Sequence, residues 1–215
     1  MPLHIYNDSD KNIQIPIYFV HIPKCAGTTV EFLFEKKLNL ETFLAPNDYK
    51  KIRKYLKIPP VHFDISLIEQ MFNLEKIYSF AIVRNPFDRI LSDYNWAIKK
   101  STVKEFFKKL SFEEFCSYCF NQYRLDNNYL ANHIMPQHKF ISSGINKVFK
   151  LEDGLENAIE EVFSDLGLQL SNHLNLPKIN ASKYKNIEIN ISTKQKIYDF
   201  YEEDFIKFNY QKFTS

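Results

Sequence analysis

Two runs of apolar, β-branched and aromatic residues have the length of buried strands, and a segment with helical spacing follows each of them. The first run extends from Ile13 to Ile22 and leads through a loop into residues 28–38, where apolar residues recur every fourth position. The second run, Lys76 to Val83, precedes a helix with Asn85 as its predicted N-cap and Pro86 as its first residue. Strands followed by helices in this order predict an α/β fold with a mainly parallel sheet.

Capping-box signatures predict two further helices. Ser111 and Glu114 stand before an apolar helical face, and Ser192 and Gln195 repeat the same spacing near the C-terminus. Both segments are therefore expected to begin with a serine that caps the first turn.

Three other segments are predicted from weaker signals. Glu152 or Asp153 begins a helix that Gly167 ends, and residues 48–56 have helical spacing. Residues 175–191 are rich in Asn, Lys and Ser and are predicted to form a long surface loop.

The length and composition are those of one globular domain, residues 1–215, with 45% hydrophobic and 25% charged residues. The net charge of +2 is too small for the strongly basic face that nucleic-acid-binding proteins carry. A small anionic ligand bound at a local basic site fits this balance better than a nucleic acid does.

Three cysteines without framework spacing argue against a secreted disulfide scaffold. Cys116 and Cys119 lie on an apolar helical stripe, which favours core packing over a zinc or redox site. The first eleven residues lack the pattern of a signal peptide, and no run of about 18 apolar residues is present. The chain is therefore predicted to be cytoplasmic, with no transmembrane segment.

The loop after the first strand, residues 21–29, reads HIPKCAGTT and has the chemistry of an anion site. Amide groups and the dipole at a helix start attract anions. Lys24 adds a cation, Gly27 allows close approach of the backbone, and Thr28 and Thr29 add hydroxyl groups. An ordinary strand-to-helix turn with a surface lysine is the alternative. The loop differs from the nucleotide triphosphatase motif G-x-x-x-x-G-K-[ST], because its lysine precedes its glycine.

A second candidate anion site follows the second strand. Arg84 lies just before the helix, and Ser92 lies two turns into it, on nearly the same face as the N-cap. The guanidinium group and the hydroxyl group could therefore bind one anion together. The alternative is that Arg84 pairs with Asp88 near the cap while Ser92 only packs.

Two strand-to-helix sites on one parallel sheet meet at the same carboxyl edge, where such sheets bind ligands. With both motifs in this order, the chain resembles the carbohydrate sulfotransferase family (sulfotransferase family 2-like) over about residues 15–213. The segments 132–137, 149–153 and 201–210 also match the family pattern. Cys25 is a departure, since the family more often has threonine there.

The resemblance implies a P-loop-type core and a donor, 3′-phosphoadenylyl sulfate (PAPS), with 3′,5′-bisphosphoadenosine (PAP) as the product. The first loop is then expected to bind the 5′-phosphosulfate, and Arg84 with Ser92 the 3′-phosphate. Arg89 matches the motif as well and is interpreted as structural. The implied acceptor is a hydroxyl group of a saccharide, and no metal is required. The loop residues concerned are Lys24, Cys25, Ala26, Gly27, Thr28 and Thr29.

A histidine between the two loops is the expected general base. The segment around His62 resembles the family's segment with a histidine near the sulfur, so His62 would remove the acceptor proton while Lys24 neutralises the leaving oxygen. Local packing of His62 is the alternative. His21 is expected to pack, while His133 and His138 fit either an acceptor cleft or solvent exposure.

Cys25 is expected to be the most reactive thiol, because it lies at a helix start beside Lys24.

Two other functions compete with sulfuryl transfer. A P-loop kinase would need an acidic magnesium ligand at a strand end, for which Glu152 and Asp153 are the only candidates. A non-catalytic module that binds a nucleotide or a glycan would keep the phosphate loops without turnover.

Overall fold

The structure is a computed structural model that describes residues 3–8, 12–38, 40–44, 48–100, 103–168 and 187–213. Within these residues the strands are β1 (Leu3–Asp8), β2 (Ile13–Val20), β3 (Glu41–Phe43), β4 (Tyr78–Val83) and β5 (Lys147–Lys150). The helices are α1 (Gly27–Phe32), α2 (Ile65–Met71), α3 (Pro86–Lys100), α4 (Lys104–Phe107), α5 (Phe112–Leu125), α6 (Leu155–Asp165) and α7 (Ile191–Lys207). A π-helical turn, Leu33–Lys37, extends α1.

The five described strands form one sheet in the order β3-β1-β2-β4-β5. β2, β4 and β5 are parallel, and β1 pairs antiparallel with both β2 and β3. Four of the strands therefore point the same way, which confirms the prediction of an α/β fold with a mostly parallel sheet. β1 and β3 were not predicted.

The parallel strands are the buried centre of the molecule. Phe19 of β2 and Phe80 of β4 are fully buried and their rings lie 5.1 Å apart. Since β2, β4 and β5 all end at one edge of the sheet, their following loops begin close together there. Cys116 and Cys119 of α5 are buried, as the apolar stripe predicted.

Several helix starts agree with the sequence and others do not. The capping box of Ser111 and Glu114 is present at α5. At α6 the N-cap is Gly154, with φ 101°, instead of Glu152 or Asp153, which lie in the preceding 3₁₀ turn. This glycine adopts a backbone conformation unfavourable for other residues, so the helix starts after it. Gly167, with φ 68°, follows the end of α6 as predicted.

The predicted cap of α7 is wrong, because the Asn190 side chain, not that of Ser192, accepts the Thr193 N–H at 2.8 Å. Residues 48–56 form turns with one short 3₁₀ segment, Arg53–Tyr55, in place of the predicted helix. Most of the predicted surface loop, residues 175–186, lies outside the described residues. Among the helices that are described, none has the length and apolar character needed to cross a membrane.

Candidate active site

The loop between β2 and α1 has a strained backbone. Lys24 (φ 68°) and Ala26 (φ 62°) both adopt the left-handed conformation, which costs an L-residue roughly 1–3 kcal/mol. Ala26 is the N-cap of α1, and its carbonyl accepts the Thr29 N–H at 2.8 Å. The amides of Gly27 and Thr28 have no acceptor inside the helix, because they belong to its first turn. The loop thus turns sharply and directs amide groups outward.

Gly27 is required by a close contact with the His21 ring. A Cβ atom added to Gly27 would lie 2.3 Å from Nε2 of His21, closer than real contacts allow. The sequence analysis predicted that the backbone at Gly27 permits close approach of another group. In the structure the group that lies close to Gly27 is the imidazole of His21, which belongs to the same motif.

The side chain of Cys25 points into the core. Its thiol lies 3.3 Å from Oε1 of Gln137, and burial raises its pKa to about 12 although the charges of Arg89 and Arg84 lower it. The expectation of a reactive thiolate is therefore wrong, because desolvation outweighs the nearby positive charges. All three thiols are buried. The backbone N–H of Cys25 donates to the Ile22 carbonyl at 3.3 Å, so Cys25 contributes to the shape of the loop.

Arg84 connects the second predicted site to the first. Its Nη1 donates to the Lys24 carbonyl at 3.3 Å, and its backbone N–H and C=O both bond the Gln137 side chain at 2.9 and 2.8 Å. Arg89 is fully buried and donates to the carbonyls of Pro23 and His133 at 3.1 and 2.7 Å. These contacts support the structural interpretation of Arg89, which holds two loops together.

A cleft of about 440 Å³ opens beside these loops. Among the predicted site residues, Lys24, Thr28, Ser92 and His62 line it, although they come from different segments of the chain. Thr29 is buried, and Arg84 lies at the end of β4 outside the cleft wall. The lining residues are His21, Pro23, Lys24, Thr28, Glu31, Tyr49, Arg53, Pro59, Val61, His62, Ser92, Asn95, Trp96, Lys99 and His133.

His62 lies in a 3₁₀ turn, Pro60–His62, with one ring nitrogen directed at the backbone. Nδ1 lies 2.9 Å from the Ala131 carbonyl oxygen, so it must donate and Nε2 keeps the lone pair. Burial, and then the charges of His133 and His21, lower the pKa of His62 well below its ordinary value. The side chain is therefore a neutral proton acceptor at neutral pH.

His62 lies between two other histidines, each bonded to a buried carboxylate. The His21 ring lies 5.4 Å from the His62 ring, and Nδ1 of His21 lies 2.5 Å from the Glu31 carboxylate. On the other side, the His133 ring lies 5.0 Å from the His62 ring, and Nδ1 of His133 lies 2.6 Å from the Asp93 carboxylate. Burial would raise the pKa of Glu31, but the charge and hydrogen bond of His21 outweigh it and lower this pKa.

The sequence did not reveal this cluster. His21 was expected to pack, yet it lines the cleft, and His133 was left open between two alternatives. His138 bonds the buried Asp204 at 2.8 Å and is not part of the cleft wall. His133 and Asp93 are forty positions apart, so no local sequence pattern predicts that they pair. Asp93 directly follows Ser92 of the second motif, which is the only sequence signal for it.

Trp96 of α3 joins the lysine to the histidines. Nζ of Lys24 lies 6.0 Å from the Trp96 ring centroid, and the Trp96 ring stacks on His133 at 4.2 Å. The cleft therefore combines a cation, an aromatic wall and the neutral imidazole group of His62, which can bind an anion and take up a proton.

Glu152, considered above as a magnesium ligand of a kinase, is engaged in structural contacts. Its carboxylate accepts the Asn85 N–H at 2.7 Å and the Tyr210 hydroxyl at 3.0 Å. These bonds fix the start of α3 against the C-terminal segment.

Comparisons with known proteins identify the family of the chain. A protein-tyrosine sulfotransferase from Arabidopsis thaliana is 26% identical over 98 residues, which covers 43% of this chain and 19% of that protein. The chain thus spans less than a fifth of the length of this curated relative. No solved structure matches the chain significantly. The sulfotransferase family model matches residues 10–211, nearly the whole chain, and the protein therefore belongs to the sulfotransferase family.

Proposed function

We propose that this protein transfers a sulfuryl group from PAPS to a hydroxyl group of an acceptor. Lys24 and the amides of Ala26, Gly27 and Thr28 bind the 5′-phosphosulfate in a P-loop-type core, while the Cys25 and Thr29 amides already bond backbone carbonyls of the loop. Arg84 and Ser92 bind the 3′-phosphate, and His62 accepts the proton of the acceptor hydroxyl.

One observation carries this proposal: Lys24, Thr28, Ser92 and His62 line a single cleft although they come from separate motifs. The contact of Arg84 with the Lys24 carbonyl connects the two proposed phosphate sites directly. A cation and helix-start amides favour an anionic donor, and a neutral imidazole favours proton uptake.

The proposed reaction follows the logic of phosphoryl transfer, in which positioning and charge stabilisation supply most of the catalysis. The acceptor oxygen attacks sulfur in line with the bond that breaks, and the electron pair of that bond remains on the phosphate oxygen of PAP. The ammonium group of Lys24 offsets the negative charge that develops there.

For the acceptor we propose a saccharide. The aromatic ring of Trp96 together with the polar side chains of Asn95, Lys99 and Arg53 forms a cleft wall suited to a hydroxylated ring. The similarity to a protein-tyrosine sulfotransferase makes a tyrosine hydroxyl the second candidate. A transfer assay with labelled PAPS, run against desulfated glycans and tyrosine-containing peptides, separates the two acceptor classes.

Calorimetry with PAP and ATP tests the donor site. PAP is expected to bind in the presence of EDTA at least roughly tenfold more tightly than ATP, because charge-assisted bonds to the 3′-phosphate are worth about 1.5–3 kcal/mol each. Arg84→Ala should remove this preference.

Arg124→Ala is the matched control, since Arg124 is an exposed residue near the end of α5 that bonds Asn121. It should leave both affinities unchanged. Equal affinity of the wild type for PAP and ATP would refute the assignment of Arg84 and Ser92. Tight PAP binding without transfer to any acceptor would favour the non-catalytic binding module.

A further inference from the structure

His133 and Asp93 form a pair whose geometry matches the histidine–carboxylate half of a catalytic triad. Nδ1 of His133 lies 2.6 Å from Oδ1 of Asp93, and the Asp93 side chain is completely buried. Because a carboxylate accepts this bond, the proton of the neutral ring is on Nδ1 and the lone pair is on Nε2. His133 lines the cleft, so its ring is available to a bound acceptor.

The ring of His133 is held from several sides. Trp96 stacks on it at 4.2 Å, and its own backbone carbonyl accepts a bond from Arg89 at 2.7 Å. Arg89, Asp93 and Trp96 are spaced on one face of α3, at positions i, i+4 and i+7. A ring fixed in this way is preorganised, which a catalytic group requires.

His62 and His133 differ in how they can carry a positive charge. Nδ1 of His62 bonds only a backbone carbonyl, and burial together with the charges of His133 and His21 lowers its pKa. A proton that arrives on His133 instead forms an ion pair with Asp93. Asp93 also interacts electrostatically with the buried guanidinium of Arg89, and its Oδ2 has no hydrogen-bond partner among the described residues.

We infer that His133 is a further catalytic residue and that Asp93 is its positioning residue. His133 and His62 together form the base on the acceptor side, and His133 holds the proton after transfer. This inference rests on the proposed function. The acceptor O–H bond breaks and the O–S bond forms, while the bond from sulfur to the phosphate oxygen breaks and leaves its electron pair on PAP. Nε2 of His62 takes up the proton that the acceptor releases and passes it to Nε2 of His133, where it rests.

Asp93→Asn is the sharpest test, because Asp93 lies outside the cleft wall and the substitution preserves the shape of the side chain. An amide that donates to Nδ1 moves the ring proton to Nε2, so the single-turnover rate at saturating PAPS should fall by roughly 10²–10⁴-fold. His133→Gln should lose a similar factor. PAP affinity, measured by calorimetry, should change by less than about threefold in both variants, since neither residue is proposed to contact PAP.

His138→Gln is the matched control, because His138 bonds the buried carboxylate of Asp204 in the same way outside the cleft. Its rate should stay within about threefold of the wild type, the behaviour of a residue remote from the reaction. The double variant His62→Ala/His133→Gln should lose little more than the worse single variant, because residues that act as a unit are not additive. Folded Asp93→Asn and His133→Gln proteins with wild-type rates would overturn the inference.

Imidazole ¹⁵N NMR of the wild type needs neither a variant nor an acceptor. Nδ1 of His133 should carry a proton throughout, because the Asp93 carboxylate accepts it. A His133 ring that carries its proton on Nε2 alone would overturn the inference. A failure of the proposed function is distinguishable, because it would appear as a wild-type protein that does not bind PAP or that transfers no sulfuryl group to any acceptor.

Discussion

His62 acts in the proposed reaction through Nε2, because its Nδ1–H is donated to the Ala131 carbonyl. Burial and the neighbouring imidazoles lower its pKa well below 6.5. A lowered pKa means that the neutral, proton-accepting form persists as the pH falls, until the pH reaches that lowered value. Any loss of rate caused by protonation of His62 itself should therefore begin below pH 6.5.

Substitution of His62 separates chemistry from nucleotide binding. His62→Ala should lower the single-turnover rate by roughly 10²–10⁴-fold, the usual range for losing a general base, and leave PAP affinity nearly unchanged. Lys24→Ala should instead weaken both PAP binding and transfer, because the ammonium group is proposed to contact the nucleotide and the leaving oxygen. A His62→Ala protein that turns over like the wild type would make His62 structural.

At the level of single residues, the sequence predicted the loop from Lys24 to Thr29 and the motif from Arg84 to Ser92, because both follow apolar runs with recognisable strand-to-helix spacing. It did not predict the direction of the Cys25 side chain, which lies in the core. A helix start suggests thiolate chemistry only when the thiol is accessible, and accessibility depends on contacts with Gln137, more than a hundred positions away.

Among the secondary-structure elements, α7 shows why two nearby polar residues are hard to rank as caps. Ser192 fits the capping-box spacing with Gln195, but Asn190 is the residue in extended backbone whose side chain accepts the Thr193 N–H. Ser192 itself donates to the Asn190 side chain at 3.0 Å. Asparagine is as good an N-cap as serine, so the sequence alone does not decide between them.

Alanine substitutions distinguish the two capping assignments. Asn190→Ala should lower the free energy of unfolding by about 1 kcal/mol, because a helix-start amide loses its acceptor. Ser192→Ala, the neighbouring control, should cost less than about 0.5 kcal/mol, as expected for an exposed residue. Urea unfolding followed by circular dichroism measures both. A larger loss at Ser192 would restore the capping box of the sequence pattern.

Strand prediction succeeded where burial makes a continuous apolar run and failed elsewhere. β2 and β4 lie inside the sheet and read as apolar segments, as parallel strands usually do. β3 has only three residues, and β1 carries a polar sequence in which His4 is one of the buried residues. Their pairing depends on the sheet already being present, which no local pattern records.

For the whole molecule, three side chains connect the segments that surround the cleft. Gln137 bonds both backbone groups of Arg84, and Asp204 accepts the backbone N–H groups of Gln137 and His138 at 2.8 Å. Arg89 joins the loop after β2 to the segment that carries His133. These contacts span forty or more positions, so the sequence predicted the separate motifs but not the cleft they form.

Removal of Arg89 tests how far stability depends on these connections. Arg89→Met should lower the free energy of unfolding by about 3 kcal/mol, because two buried carbonyls lose a charged donor. Lys108→Ala, which breaks an exposed pair with Glu105, is the control and should leave the urea midpoint nearly unchanged. A native-like midpoint for Arg89→Met would show that the loops are held together by other contacts.

The contact between Gly27 and His21 also restricts how this protein can evolve. The ring of His21 fills the space that any side chain at position 27 would need, and the same ring bonds Glu31 and faces His62. A change at position 27 is therefore felt at once by the histidine cluster, and a larger residue there becomes tolerable only after position 21 has become smaller. The proposed donor loop and the proposed proton-accepting side of the cleft share this contact, so substitutions on the two sides are expected to occur together.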